Sequence, residues 1–475
     1  MHILFIFKEI DNEPHGVLRL SSILKKAGHR VSMVIATEED PVETALRLKP
    51  DLVGYSVYTG TQHYYLELNR RLRAQLPVFS IFGGPHPTFF PEMIEEEGVD
   101  GLCRGEGEYA TLDLLNALRA HEPFERIPNW WFKIEGRIIK NPLRPLVKDL
   151  DQLPFPDREL LYQAQPANRE NKVKPFITGR GCPYNCTFCF NKAYSDLYGG
   201  TGVRVRRRSV DNVIAEIEEV RESYPLQLII FMDDTFILNI RWLREFAEKY
   251  KAQIGLPFWC QVRADLVTEE KISLFKDAGC VSVTFGLETA DDYLRDVVLN
   301  RHMSKEDILK ASRILREQGI AFMTNSMLGL PKGGLAEDLQ TLKLNLECRP
   351  SYANVLLYQP YPKTELGEMA FREGLMEGTF DDLSGSVSDN TVIKFKGPLE
   401  KRQIENLQKI SGVVVEFPFL LPLVKPLIRL PSNRLYWTIY KMWKGYALKN
   451  RMYPHRLTPT EYIRTLFRYM HIRSQ

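Results

Sequence analysis

Short apolar segments alternate with helical segments through the first 140 residues, and this alternation limits the fold more than any other feature. The apolar segments read ILFIF, RVSMVI, LVGYSVY and VFSIFGG, and an amphipathic run from Val17 to Lys26 separates the first two. Strand–helix–strand alternation at this spacing predicts a parallel sheet with helices on both faces. Residues 1–140 are therefore expected to form a doubly wound, Rossmann-like α/β domain.

Two of these strands end in turns that carry glycine and hydroxyl side chains. One turn runs from Ser56 through Thr59 and Gly60, and the other contains Gly83 and Gly84. Ligands of doubly wound folds bind at the carboxyl ends of strands, where such residues let them approach the backbone. The same residues also build ordinary tight turns. On the residues alone, both interpretations stay open.

A second strand–helix series follows a proline-containing connector, residues 141–170, that has no apolar periodicity. Its six strands are predicted in the segments PFIT, LIIFM, FWCQV, VSVTFGL, FMTNSMLGL and NVLLY. A complete eight-unit barrel needs about 250 residues, more than this region provides. Residues 171–390 therefore predict a partial (β/α)6, TIM-like barrel, and residues 391–475 a mostly helical region.

Three cysteines, Cys182, Cys186 and Cys189, lie within eight residues directly after the first strand of this series. Three thiolates suit a zinc ion or an iron–sulfur cluster. A structural zinc site takes four ligands, usually as two close pairs, and the sequence has no second CxxC or HxxxH pair. Three thiolates can instead hold three irons of a 4Fe–4S cluster and leave the fourth iron open. The spacing favours the cluster, and zinc stays the alternative.

The remaining features predict a cytoplasmic protein. The other cysteines are scattered without pairing, which favours a reducing compartment over a disulfide framework. MHILFIF continues directly into Lys8 and Glu9 and is interpreted as a first strand rather than a signal peptide. No run of about 18 uncharged apolar residues occurs, so no spanning helix is expected.

The cysteine segment resembles the signature of the radical S-adenosylmethionine (radical SAM) superfamily, with the aromatic Phe188 before the last cysteine. The resemblance implies that Cys182, Cys186 and Cys189 are catalytic cluster ligands and that SAM chelates the open iron. Reductive cleavage of SAM would then release a 5′-deoxyadenosyl radical. An electron donor such as flavodoxin or ferredoxin is expected with this chemistry.

Later strand ends resemble the SAM-binding motifs of the superfamily in the same order. The residues predicted to bind SAM are Asp233, Asp234, Arg263, Gly286 and Glu288. The two aspartates match the motif for the SAM amino group, Arg263 matches a contact to its carboxylate, and Gly286 and Glu288 match the motif near its ribose. MLGLP resembles the motif beside adenine. The aspartates can also cap a helix, and Glu288 can be a carboxylate at the barrel rim.

The N-terminal domain resembles the cobalamin-binding domain of cobalamin-dependent radical SAM enzymes, on the segments PDLVGYSVYTGT, FGGPHPT and VDGLCRGEGE, followed by the linker LPFPDREL. The residues that the resemblance places around cobalamin are Ser56, Thr59, Gly60, Gly83, Gly84 and Glu106. The DxHxxG sequence of methionine-synthase-like domains is missing, because Asp11 and His15 are four residues apart. A cobalt without a histidine ligand is therefore expected, with His15 and His86 in turn or packing roles.

This pair of cofactors implies a methyltransferase that acts on an unactivated carbon. The radical removes a hydrogen atom, and methylcobalamin delivers a methyl group to the carbon. An oxidative cyclase or a rearrangement enzyme uses the same cofactors and stays the alternative. A noncatalytic sensor is a third hypothesis, against which the ordered SAM motifs speak.

The C-terminal region is basic and aromatic. Residues 401–475 hold 14 Lys and Arg against 3 Asp and Glu. This character is typical of a peripheral membrane contact, here through residues 412–450 at the inner membrane face. Such a contact would favour a lipid among the small-molecule substrates. A helical subdomain that closes the barrel is the alternative, and nucleic acid is not expected because no RNA-binding module is recognised.

Tyr358 is the candidate substrate contact. It begins the segment YQPYP, which resembles the segment after the sixth strand in the family. Lys363 stands where the family usually has glycine. A packing role for Tyr358 fits the sequence equally well.

Overall fold

The computed structural model describes residues 1–199, 203–383 and 387–457. Packing divides the chain into two units. The first contains Met1–Asn171 and Asp196–Arg206, and the second contains Lys172–Ser195 and the residues from Arg207 onward. The segment 141–170, predicted as a linker, belongs to the first unit. The domain boundaries expected at residues 140, 170 and 390 stay a prediction.

The first unit alternates strands and helices up to its fifth strand and then continues with a hairpin. Its elements are β1 (His2–Phe7), α1 (His15–Lys26), β2 (Arg30–Ile35), α2 (Pro41–Leu48), β3 (Leu52–Ser56), α3 (Gln62–Arg73), β4 (Phe79–Gly83), α4 (Pro85–Phe89), β5 (Gly101–Cys103), α5 (Glu108–Ala120), β6 (Trp130–Ile134), β7 (Arg137–Lys140), α6 (Arg158–Ala164) and α7 (Pro166–Arg169).

These strands form one seven-stranded sheet in the order β2-β1-β3-β4-β5-β6-β7. Neighbours from β2 to β5 are parallel, and β6 and β7 add an antiparallel hairpin. The strand order reverses between β1 and β3, and this reversal is the switch point at which doubly wound folds bind ligands. The predicted Rossmann-like domain is confirmed, with the hairpin as an addition.

The second unit carries the longer strand–helix series. Its elements are β8 (Val173–Phe176), β9 (Gly179–Arg180), α8 (Phe190–Leu197), β10 (Arg206–Arg207), α9 (Val210–Ser223), β11 (Leu228–Phe231), α10 (Ile240–Gln253), β12 (Phe258–Gln261), α11 (Glu269–Ala278), β13 (Cys280–Glu288), α12 (Lys305–Glu317), β14 (Ala321–Leu328), α13 (Leu335–Cys348), β15 (Tyr352–Leu357), α14 (Glu365–Arg372), α15 (Pro398–Glu416), α16 (Val424–Arg429) and α17 (Arg434–Ala447). The last residues of α8 and the first residue of β10 pack with the first unit.

A parallel six-stranded sheet in the order β15-β14-β13-β12-β11-β8 confirms the predicted partial barrel. Apolar side chains of α9 to α12 pack on the strands in one continuous core. The predicted capping box at the start of α12 is present, since Ser304 and Asp307 bond reciprocally. All six strands point the same way, so their carboxyl ends lie along one edge of the sheet.

The C-terminal helices pack on the edge of this sheet. In α15, Gln408 donates a hydrogen bond to the carbonyl of Val355 in the edge strand β15 (2.8 Å). The π-helical turn after α17 contacts β13, where Ser282 donates to the carbonyl of the fully buried Met452. The described part of the predicted region 391–475 is thus mostly helical and packs at the start of the barrel strands, while residues 458–475 lie outside the described residues. Within the described ranges, no helix combines the length and apolarity needed to cross a bilayer.

Candidate active site

The three predicted cluster ligands lie on one loop that leads from the carboxyl end of β8 into α8. Cys186 is buried, Cys182 and Cys189 are half-buried, and all three are free thiols. The backbone N–H of Cys189 donates to the carbonyl of Cys186 (3.1 Å), which closes a turn that holds the two together. Burial raises the pKa of the Cys189 thiol above its usual value.

The segment after β11 fixes this loop. Asp233 is buried and accepts hydrogen bonds from the backbone N–H and the hydroxyl of Thr178 (3.1 and 2.7 Å). The hydroxyl of Thr235 lies 3.8 Å from Cys182 Sγ. Burial raises the pKa of Asp233, while Arg207 and Thr178 act in the opposite direction. The two predicted aspartates thus differ, because Asp233 anchors the cysteine loop and Asp234 is exposed.

Two arginines converge on the sulfur of Cys186. Arg263 Nη1 lies 3.9 Å and Arg301 Nη1 lies 3.7 Å from Cys186 Sγ. Arg263 is itself held by Asp265 (2.8 Å) and stacks on the ring of Tyr184 at 3.7 Å. Positive charge beside a cysteine sulfur stabilises the negative charge of its thiolate form. The sequence identified Arg263 but missed Arg301, whose loop carries no motif.

Gly286 and Glu288 meet Arg301 at the end of β13. Arg301 Nη2 donates to the carbonyl of Gly286 (3.0 Å) and lies 3.7 Å from Glu288 Oε1. Glu288 is buried, and burial raises its pKa, whereas Arg301 and Arg263 lower it. The buried carboxylate of Glu288, the buried guanidinium of Arg263 and the half-buried guanidinium of Arg301 thus lie beside Cys186, where they can pair with polar groups of a bound molecule.

At the ends of the later strands, one apolar cluster contains Tyr358 and Leu330, which belongs to the MLGLP segment. Met327 of the same segment and Phe188 of the cysteine loop pack against this cluster. Asp338 of α13 accepts a hydrogen bond from the N–H of Gly329 (3.1 Å) and so fixes the turn after β14. Tyr358 is 3% exposed, and its hydroxyl has no hydrogen-bond partner among the described residues. Burial raises the pKa of Tyr358, so the phenol stays protonated at neutral pH.

In the first unit, the turns after β3 and β4 lie against each other. The N–H of Val57 donates to the carbonyl of Gly83 (2.8 Å), and Thr59 Oγ1 lies 3.2 Å from His86 Nδ1. Gly84 has φ +98°, and a Cβ there would lie 2.9 Å from Val57 N. The structure therefore brings Ser56 and Thr59 together with Gly83 and Gly84 at the carboxyl ends of β3 and β4, next to the switch point, and Gly60 lies in the first of these turns. Gly60 is exposed and has no atom within 4 Å of the position a Cβ would take, which leaves room for a ligand.

The carboxylate of Glu106, which was predicted to line the cobalamin pocket, is bonded to other residues of the first unit. Its carboxylate accepts hydrogen bonds from Arg206 Nη1 (2.8 and 3.0 Å) and from the N–H of Val147 (2.9 Å). The side chains of Arg206 and Glu106 are only 3% and 9% exposed. Glu106 therefore forms a buried ion pair, and its predicted contact with cobalamin stays a prediction. His86 is buried and stacks on Phe90 at 4.7 Å, as a packing histidine would.

The charges beside the cysteine loop suit an iron–sulfur cluster. Among the residues that the structure describes, no group of three or more His, Cys, Asp or Glu side chains could hold a single metal ion. Three thiolates that bind three different irons do not have to converge on one point. Two guanidinium groups within 3.9 Å of Cys186 suit an anionic cluster and a carboxylate ligand.

Comparison with known proteins supports this assignment. The model of the radical SAM superfamily matches residues 176–344, and the model of the B12 binding domain matches residues 6–115. The chain is 27% identical over 372 residues to the uncharacterized methyltransferase PH0819 of Pyrococcus horikoshii. This match covers 76% of this chain and 79% of that protein. It is 29% identical over 376 residues to the anaerobic magnesium-protoporphyrin IX monomethyl ester cyclase of Rubrivivax gelatinosus, covering 74% of this chain and 65% of that protein.

Among solved structures, the chain resembles the radical SAM methyltransferase TsrM from Kitasatospora setae, determined with cobalamin and a 4Fe–4S cluster bound. The TM-score is 0.65 at 18% identity, and the match covers 80% of this chain and 76% of TsrM. At this identity the likeness supports the fold alone.

Both cofactor predictions follow from the domains. A radical SAM domain implies a 4Fe–4S cluster and SAM. The matched range, residues 176–344, includes Cys182, Cys186 and Cys189, whose role as cluster ligands stays a prediction. A B12 binding domain implies cobalamin, and its match includes the turns at the switch point. The two domain models together match more than half of the chain. The chain therefore belongs to the radical SAM enzymes that carry a B12 binding domain ahead of the radical SAM domain.

Proposed function

We propose that the enzyme transfers a methyl group from SAM, by way of cobalamin, to an unactivated carbon after hydrogen abstraction at that carbon. The observation that carries the proposal is the combination, in one chain, of a three-thiol loop at the strand ends of a partial barrel and a glycine-bearing site at the switch point of a B12 binding domain. The similarity to a methyltransferase over 76% of the chain supports it.

When bound, the cluster and SAM supply a 5′-deoxyadenosyl radical, and cobalamin supplies the methyl group. The protein's own residues position these groups. Arg263 and Arg301 place positive charge beside Cys186, where a carboxylate would bind. Glu288, held by Arg301, offers a buried acceptor for hydroxyl groups. Asp234 is exposed beside the anchored Asp233 and is proposed to meet the SAM amino group.

Tyr358 is proposed to bind the substrate. Its protonated phenol is buried among Leu330, Leu366 and Ile393, and it has no hydrogen-bond partner in the described part of the chain. An unsatisfied buried hydroxyl costs about 1–3 kcal/mol, so a polar atom of a bound molecule would recover that free energy. The apolar surroundings suit a substrate that is largely hydrocarbon.

The substrate class follows from these surroundings and from the C-terminal region. We infer a small molecule with a large apolar part, such as a lipid or another membrane-associated compound. The enzyme would work in the cytoplasm without oxygen, with flavodoxin or ferredoxin as its electron donor. Fractionating an extract of the source organism into aqueous and organic-soluble parts tests the substrate class directly.

The reaction is tested with the anaerobically reconstituted enzyme, SAM, a chemical reductant and each fraction of the extract. 5′-Deoxyadenosine and S-adenosylhomocysteine should accumulate equally over many turnovers, since each cycle consumes one SAM for the radical and one for the methyl group. Deoxyadenosine without sustained S-adenosylhomocysteine would contradict the proposal and indicate a cyclase or rearrangement enzyme.

Two cysteine variants serve as controls. Cys189→Ala removes a predicted cluster ligand and should abolish both products. Cys348→Ala removes a free cysteine that is fully buried in α13, outside the cysteine loop, and should leave both products unchanged. Equal losses in the two variants would show that the effect is not specific to the cysteine loop.

A further inference from the structure

Large apolar side chains are exposed in an unusual concentration between residues 417 and 446. Of the fourteen such side chains exposed in the described residues, seven lie in this segment, each between 41% and 75% exposed. They define the apolar surface, which consists of Phe417, Phe419, Leu423, Leu430, Leu435, Met442 and Tyr446. Single exposed apolar residues are ordinary, whereas clusters of them mark interaction sites.

Helix α17 shows that this exposure is organised. Tyr436, Tyr440 and Ala447 are buried at helical spacing and face the protein. Leu435 and Met442 are 63% and 64% exposed and share the opposite face. A surface helix of a globular protein normally presents polar residues on its outer face. An apolar outer face in addition to a buried inner face indicates a second partner.

Ring contacts join the segments of the apolar surface. The rings of Phe419 and Phe417 lie 6.0 Å apart, and Phe417 lies 6.0 Å from the ring of Trp443. Trp443 in turn stacks on Tyr446 at 5.6 Å. The short 3-10 helix at residues 418–423 and the end of α17 therefore present one continuous patch.

The charge around the patch has one sign. Residues 417–457 contain eight Lys and Arg and no Asp or Glu. Lys425, Arg429 and Arg434 are exposed, and Lys441 lies 4.2 Å above the ring of Trp437. The nearby Glu416 is already paired with Arg451 (2.6 Å). The partner is therefore anionic where it meets the cations and apolar where it meets the leucines.

An anionic lipid bilayer has both properties. Its headgroups attract lysine and arginine, and its acyl region accepts leucine, methionine and aromatic side chains. A nucleic acid would match the cations and the rings but gives aliphatic side chains nothing to enter. A second copy of this chain would bring like charges together, which is unfavourable.

We propose that this surface docks the enzyme on an anionic lipid bilayer, with Phe419, Leu435 and Met442 inserted among the headgroups and the surrounding lysines and arginines bound to phosphates. The inference goes beyond the proposed reaction and does not depend on it. It concerns exposed side chains of a segment whose buried side chains pack on α15 and the edge of the sheet, and it does not involve the cysteine loop.

The test is sedimentation of the full-length protein with vesicles, without SAM or reductant, so that its outcome is separate from any test of the reaction. The vesicles contain either phosphatidylcholine alone or phosphatidylcholine mixed with phosphatidylglycerol. The protein should bind the mixed vesicles at least about tenfold more tightly, and added salt should weaken this binding.

Matched variants locate the binding surface. Leu435→Ser combined with Met442→Ser removes two exposed side chains and should weaken binding to the mixed vesicles about tenfold or more. Leu399→Ser changes another exposed leucine (52%) at the start of α15, outside the patch, and should have no effect. Lys425→Glu with Arg429→Glu should weaken binding by a similar factor. Circular dichroism should show the same fold for all variants, since these side chains are exposed.

Three results would overturn the proposal. The full-length protein could fail to bind either kind of vesicle, or the serine and glutamate variants could bind as tightly as the unaltered protein. Sedimentation velocity could also reveal a dimer that the Leu435→Ser, Met442→Ser variant dissociates. That last result would assign the surface to a second copy of the chain.

Discussion

Glu288 is held in a left-handed backbone conformation, with φ +63°, at the last residue of β13. A non-glycine residue there costs about 1–2 kcal/mol, and such strain concentrates at functional sites. The conformation directs the carboxylate back over Gly286, into the space that a Cβ at residue 286 would occupy. Gly286 is therefore required by a side chain two residues away.

Gly286→Ala should disrupt this arrangement. The added methyl group would collide with the Glu288 carboxylate and lie 3.0 Å from Arg301 Nη2. Overpacking of this kind costs about 1–3 kcal/mol, and moving Arg301 also changes its contact with Cys186 (3.7 Å). We expect at least about a tenfold fall in 5′-deoxyadenosine formation at equal iron content, which corresponds to about 1.4 kcal/mol.

Gly397→Ala is the matched control. Gly397 precedes α15, has extended backbone (φ 170°), and has open space where the Cβ would lie. This variant should form 5′-deoxyadenosine at the unaltered rate. An unaltered rate in Gly286→Ala as well would show that the placement of Glu288 and Arg301 does not matter for SAM cleavage.

At the scale of elements, the ligand site of the first unit depends on the contact between two strand-end turns. His86, in α4 after β4, joins them through Thr59 and stacks on Phe90. Burial lowers the pKa of His86 from 6.5 to about 4, with Glu92 opposing and His63 reinforcing the shift. The folded state therefore keeps this imidazole neutral.

This pKa shift predicts a pH dependence of stability. Between pH 6.5 and about 4 the unfolded chain binds a proton at His86 that the folded chain does not. The contribution of His86 to stability is therefore present above pH 6.5 and is lost as the pH falls toward 4. His86→Asn removes the titration, so the stability difference between the two proteins should shrink by about 1–2 kcal/mol across this range.

Thermal unfolding of both proteins over this pH range is the measurement. The asparagine variant should be less stable near neutral pH, because it loses the stacked ring, and should approach the unaltered protein in acid. Carboxylates also titrate in this pH range, but they are the same in both proteins. Their contribution to the pH dependence of stability therefore cancels in the difference. Curves that stay parallel would contradict a neutral, buried His86.

Elements with strong local signals were predictable from sequence. The β/α alternation, the capping box of α12 and the six barrel strands were all confirmed, because periodicity and capping are properties of consecutive residues. The hairpin β6–β7 was missed. Its strands are short, and they lie in the sheet through antiparallel pairing with β5, which no local pattern specifies.

Residues that act across long sequence separations were less predictable. Arg301 reaches Cys186 over 115 positions, and its loop has no periodic or motif signal. Glu106 was assigned to the cobalamin pocket by resemblance, whereas the structure shows its carboxylate paired with Arg206. In both cases the partner is determined by tertiary packing, so the residue type alone could not identify it.

At the scale of the whole molecule, the two packing units are not consecutive segments of the chain. Asp196–Arg206, which follows the helix after the cysteine loop, packs with the first unit. Tyr198 accepts a hydrogen bond from the N–H of Glu106 (3.0 Å), and Arg206 forms its ion pair with the same residue. Glu106 therefore fixes a segment that the sequence places within the radical SAM region.

Glu106→Gln should destabilise the first unit strongly. Its neutral amide leaves the guanidinium of Arg206 buried without a counterion, which costs about 3 kcal/mol. Glu39→Gln is the matched control, since Glu39 pairs with Arg47 at the surface of the same unit (46% and 60% exposed), and it should have little effect on stability. Urea denaturation measures both. Near-normal stability of Glu106→Gln together with weakened cobalamin binding would instead support the role in the cobalamin pocket that the sequence predicted.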